Sequence, residues 1–122
     1  MVKFSERQHS IQLVRELLGL SETFEGLPPA LRQGVAKVLR DYPSHQELVD
    51  ALQPGAPTVT WQAQCAMIDA RQLLECVACY CSSPMDRALI RCALRSYPET
   101  DKLIEASAMN RFPQYILGTR AC

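Results

Sequence analysis

The second half of this chain repeats the first. Moved forward by 55 positions, Pro29, Arg32, Leu39, Arg40, Tyr42, Pro43, Leu48 and Ala51 fall on Pro84, Arg87, Leu94, Arg95, Tyr97, Pro98, Leu103 and Ala106. Val35/Ile90, Val49/Ile104 and Asp50/Glu105 are conservative matches in the same gapless frame, and Leu17-Leu18 meets Leu73-Leu74 after one further residue of shift. A period of this length is the length of one supersecondary unit. The expected architecture is all-α, a six-helix bundle built from two tandem three-helix repeats in a single domain over residues 1–122. Repeat one spans 5–52, a turn-rich linker 53–59, and repeat two 60–109. A packed C-terminal tail covers 110–122, because Phe112, Tyr115, Ile116 and Leu117 are too apolar to hang free.

Local signals place the helices. Ile11, Val14, Leu17 and Leu18 recur at helical spacing, which predicts a first helix over 5–20 with Ser5 as N-cap. Pro28-Pro29 opens a second helix carrying Leu31, Val35, Val38, Leu39 and Tyr42 on one stripe, and Pro43 stops it. Ser44-His45-Gln46-Glu47 has the form of a capping box and starts a third, short helix to about Leu52. Thr60 is placed to cap a long helix over 61–80 whose C-terminal half is apolar nearly all round, as in the middle of a bundle. Ser83-Pro84-Met85-Asp86 opens a fifth helix with Ile90, Ala93, Leu94 and Tyr97 inward, and a sixth runs from Thr100 to Met109.

Composition excludes several classes of function. Lys plus Arg and Asp plus Glu both number 13, so there is no global surplus of cations to neutralise phosphates. Nucleic acid is disfavoured as a partner. The N-terminus, MVKFSERQHS, lacks an apolar signal core, and the run around Leu73–Cys81 is too short and too interrupted to cross a bilayer. A cytoplasmic location without membrane association is expected. The five glycines are isolated, so no phosphate-binding loop is formed, and no close carboxylate pair lies in an apolar setting. His9 and His45 read as surface residues, and no residue set supports an enzyme.

The repeated Leu-Arg-x-Tyr-Pro reads first as packing, with Leu and Tyr in the core and Arg40 and Arg95 capping carbonyls or covering the Tyr ring. Twin anion ligands at Arg40 and Arg95 are the alternative. The stretch LPPALRQGVAKVLRDYPSHQELVDAL, with the SERQ…RELL start, resembles a family of short, uncharacterised proteobacterial proteins that share a helix ending in Leu-Arg-x-Tyr-Pro-Ser. The resemblance covers roughly residues 5–52, and this chain departs from it by the duplication. It implies a small helical bacterial protein and no particular chemistry.

All six cysteines follow the linker. Cys76-x-x-Cys79-x-Cys81, with Cys92, has spacing compatible with a tetrahedral zinc site of soft thiolate ligands. The run lies on an apolar helix rather than on two turn-borne knuckles, so buried thiols are the favoured reading. A metal-binding or redox-sensing role at Cys76, Cys79, Cys81 and Cys92 stays open.

Arg87, Arg91 and Arg95 recur at i, i+4 and i+8 and form a basic ridge along the fifth helix. They read either as a solvated face paired with Glu99, Asp101 and Glu105, or as a contact strip. The expected function is a non-enzymatic protein-interaction module, a regulator, adaptor or inhibitor. Its partner is another protein, bound through Arg87, Arg91, Arg95, Phe112 and Tyr115, since Arg and aromatic residues anchor interfaces. The chain is expected to be a monomer with internal pseudo-symmetry, or a homodimer, with no cofactor.

Overall fold

Helix follows helix throughout the described part of the chain, with no strand between them. The computed structural model describes residues 2–55 and 59–117, with side-chain surroundings for 8–55 and 59–116. Among these residues there are seven α-helices: α1 (Val2–Leu20), α2 (Pro29–Asp41), α3 (His45–Asp50), α4 (Trp61–Tyr80), α5 (Pro84–Arg95), α6 (Thr100–Ala108) and α7 (Phe112–Leu117). A short 3₁₀ turn, Ser21–Thr23, follows α1. The all-α expectation holds, but six helices become seven because the apolar tail coils into α7. Residues 118–122, including Cys122, and the linker residues 56–58 lie outside the described part.

The capping signals act largely as the side chains dictate. Ser44, Thr60 and Ser83 each accept a first-turn amide through the side-chain oxygen, from Glu47, Ala63 and Asp86 at 3.1, 3.1 and 3.3 Å. Pro29 and Pro84 occupy the opening turns of α2 and α5. Ser5 is not a cap, because α1 already begins at Val2.

Helix α4 is central and packs on α2, α5 and α6, while α1 packs on α2, α5 and α7. The core joins Val14, Leu17 and Leu18 of α1 to Met67, Leu74 and Val77 of α4, and to Val35, Leu48, Ile90 and Leu103 from the other helices. Helix α7 lies against α1, α3 and α6 and inserts Phe112 and Ile116, each 1% exposed. Burying a side chain of that size stabilises by about 1.5–3 kcal/mol, which is why the tail does not stay in water.

Tyr42 and Tyr97 are both fully enclosed, and each ties the end of its helix to the backbone of a long helix. The Tyr42 hydroxyl donates to the Ile11 carbonyl of α1 at 2.8 Å, and the Tyr97 hydroxyl to the Met67 carbonyl of α4 at 2.6 Å. The donors are 55 residues apart and the acceptors 56, the same small slip that separates Leu17-Leu18 from Leu73-Leu74. Burial pushes both phenols well above the usual tyrosine range, and the two lie close enough that each affects the ionisation of the other.

The loop after α1 crosses the loop after α4. Gly26 has φ +91°, and a Cβ there would stand 2.8 Å from the Tyr80 carbonyl oxygen, while the Ser82 amide donates to the Glu25 carbonyl at 3.4 Å. Only glycine meets both demands. Gly26→Ala should therefore lower stability by about 1–3 kcal/mol, measured by urea denaturation. An unchanged midpoint would contradict the crossing.

The folded state holds the Tyr42 and Tyr97 phenols neutral, whereas an unfolded tyrosine ionises near about pH 10. Their pKa values are raised on folding, so this contribution is complete below about pH 10 and is lost as pH rises further. Denaturation midpoints should be insensitive to these groups at pH 8 and fall steeply above about pH 10. Of the four tyrosines, these two should gain phenolate absorbance only as the protein unfolds; titration of all four in the folded protein would refute the buried pair.

Candidate functional site

Helix α5 turns Ile90, Ala93 and Leu94 toward α1 and α4 and leaves its opposite side in solvent. That side carries two adjacent strips. Met85, Leu89 and Cys92, at i, i+4 and i+7, form an apolar strip, with Met85 75% and Leu89 47% exposed. Arg91 and Arg95 run beside it, both exposed and without an ion pair or hydrogen bond among the described residues. Glu99, Asp101 and Glu105 do not pair with them.

Arg87 does not belong to that strip. It is half-buried at the border of the packed side, and its Nη1 donates to the Cys81 carbonyl at 3.3 Å. Arg32, its counterpart 55 residues earlier, does similar work. Its guanidinium donates to the carbonyls of Glu22 and Phe24 at 2.7 and 2.5 Å. Each of these arginines joins the start of its helix to the segment before it. The basic ridge expected over Arg87, Arg91 and Arg95 is thus reduced to Arg91 and Arg95.

Phe112 is a core residue, 1% exposed, and Tyr115 is half-buried on the same helix. The tail expected to offer aromatic anchors instead spends its main aromatic on the bundle.

Arg40 and Arg95 are exposed, and among the described residues neither covers a tyrosine nor caps a helix. That work in the second half falls to Arg71 of α4. Its guanidinium lies 5.8 Å from the centre of the Tyr97 ring and donates to the carbonyls of Leu94, Tyr97 and Pro98, the first at 2.8 Å. Arg71 also pairs with Glu75 at 3.7 Å, the one ion pair among the described residues. A signal for it was present: in the 56-residue frame of the long helices, Arg15 aligns with Arg71. Arg15 lies near enough to Tyr42 to oppose part of the rise caused by burial.

The cysteines are dispersed rather than buried together. Cys76, Cys79 and Cys92 are exposed, Cys65 is half-buried and Cys81 is enclosed. Cys81 Sγ contacts the Ser83 carbonyl at 3.8 Å and Asp86 at 4.0 Å, at the start of α5. Among the described residues no group of three or more His, Cys, Asp or Glu converges to hold a metal ion. Among the described cysteines the expectation of buried thiols is met by Cys81 alone, because Cys76 and Cys79 lie on the solvent side of α4. His9 and His45 are exposed, as expected. No helix among the described residues is long and apolar enough to cross a membrane.

Comparison with models of protein families, with curated proteins and with solved structures found no match. The α5 face sets an apolar strip beside two arginines that have no side-chain partner among the described residues. Exposed Met and Leu supply apolar area, and unengaged Arg supplies charge and bidentate donors.

Thiol chemistry tests the dispersal of the cysteines. In the folded protein Cys76, Cys79 and Cys92 should react rapidly with an aromatic disulfide reagent, and Cys81 only on unfolding. Peptide mass mapping of the labelled sites reads the order, and labelling of Cys81 as fast as Cys92 would contradict it.

Proposed function

We propose that this chain is a protein-interaction module, a regulator, adaptor or inhibitor, that binds another protein through the exposed face of α5. The observation that carries the reading is the pairing of Met85 and Leu89 in solvent with Arg91 and Arg95, which have no side-chain partner among the described residues. A complementary surface would present apolar side chains flanked by carboxylates, as one face of an acidic amphipathic helix does. Apolar contact supplies most of the affinity, and the arginines set orientation and suppress wrong partners. The balanced total charge, 13 cations against 13 anions, favours such a local contact over binding along a nucleic-acid backbone.

The same proposal holds that the module consists of two tandem three-helix units, α1–α3 and α4–α6. Support comes from the matched tyrosine bonds, the matched Arg32 and Arg87 ties, and packing in which α1 meets α5 while α4 meets α2. An internal pair of this kind already buries the surface that two separate units would use to dimerise, so the chain acts as a monomer.

The test is co-purification of the tagged protein from its native cells. Met85→Asp with Leu89→Asp should remove a stoichiometric partner while leaving the far-ultraviolet circular dichroism unchanged, since both side chains lie outside the core. Arg91→Glu with Arg95→Glu should weaken the same partner and make its binding less salt-dependent. Retention of every partner by both double variants would refute the α5 face.

A further inference from the structure

A groove of about 550 Å³ runs between α2 and α4, with no residue of α5 in its lining. That is within the range of small-molecule sites, about 300–1,000 Å³. Val38, Ala66 and Leu73 supply apolar lining, and Trp61 stands at the rim, 67% exposed.

Gly34 leaves the groove open. It has no positive φ, and a Cβ built on it would rest 3.4 Å from Leu73 Cδ1, an ordinary contact. The backbone therefore does not demand glycine, although glycine inside a helix costs about 0.5–1 kcal/mol relative to alanine. In the 55-residue frame its counterpart is Leu89, a large side chain. The first half thus has a gap where the second half has a side chain.

The charges in the groove are Lys37, Asp41 and Asp69, one cation against two anions. None is engaged in an ion pair or hydrogen bond among the described residues. Helices α2 and α4 run antiparallel here. Gly34 faces Leu73, while Tyr42 meets Tyr97, whose hydroxyl is bound to Met67. Moving along α2 toward Asp41 is therefore moving along α4 toward Trp61. Lys37 and Asp69 fall in the middle, where opposite signs offset each other. Asp41 and Trp61 share one end, where a carboxylate and an indole face both attract a cation.

We propose that the α2–α4 groove binds a small organic cation with an apolar body, of the alkylammonium or arylammonium class. The ammonium sits at the Asp41 and Trp61 end, and the apolar body covers Val38, Ala66 and Leu73. This site is independent of the α5 face.

Trp61 is the chain's one tryptophan, so its fluorescence reports the site directly. Titrations with hexyltrimethylammonium, hexanol and hexanesulfonate separate charge from apolar contact. The ammonium should give a saturable change at the lowest concentration and the sulfonate at the highest. Asp41→Asn should weaken the ammonium about tenfold and leave hexanol little changed. Gly34→Leu, which puts a side chain into the gap, should abolish the response to all three probes with helicity retained. No saturable ammonium response, equal affinity for the sulfonate, or an unaltered ammonium affinity in Asp41→Asn would each overturn the proposal. If Gly34→Leu does not fold, Asp41→Asn decides alone.

Discussion

Two buried phenols hold this bundle in register. Tyr42 and Tyr97 end the consecutive turns of α2 and α5, and each hydroxyl reaches a carbonyl of a long helix some thirty residues away in sequence. A buried hydroxyl without a partner costs about 1–3 kcal/mol, so the bond is obligatory once the ring is enclosed. It sets where α2 crosses α1 and where α5 crosses α4. Because the phenols also lie near one another, the same residues mark where the two halves meet. The following proline then stops each helix where the tyrosine turns inward, since the residue before proline avoids the helical region.

Around this pair the arginines divide by role. Arg32, Arg71 and Arg87 donate to backbone carbonyls at helix ends and loops, where otherwise orphaned acceptors would remain. Arg91 and Arg95 make no such bonds. Charge on this surface is therefore not uniform in meaning. A guanidinium with several carbonyls around it belongs to the fold, while those of Arg91 and Arg95 stand in solvent beside exposed Met and Leu.

The two halves of the chain differ in two places that shape the surface. Helix α7 wedges against α1 and α3, a position the linker after α3 has no equivalent apolar run to fill. Gly34 faces α4 where Leu89 stands on α5, which opens a groove on one side and leaves a knob on the other. Duplicated sequences share a core because Leu, Val and Tyr must be buried in both copies. Their outer positions carry no such requirement and so diverge.

Helices α2 to α6 and most of their ends were legible in the sequence, because caps, prolines and apolar spacing act over a few residues. Thr60, Ser83, Pro84 and the Tyr-Pro stops marked boundaries for local reasons, and the 55-residue repeat marked which segments correspond. Which exposed-looking residue is free was not legible. Arg71 and Arg91 are alike in sequence, yet one closes around three carbonyls contributed by residues 23 to 27 positions away and the other meets solvent. Cys76 and Cys81 belong to one apolar run, but a helix sends successive positions to different sides, and only packing decides which side is covered. Sequence by itself determined the all-helical class and the order of the first six helices, since these follow from local backbone preference and periodicity. Tertiary structure alone decided the burial of Phe112, the opening at Gly34 and the free arginines of α5, because burial depends on neighbours far away along the chain.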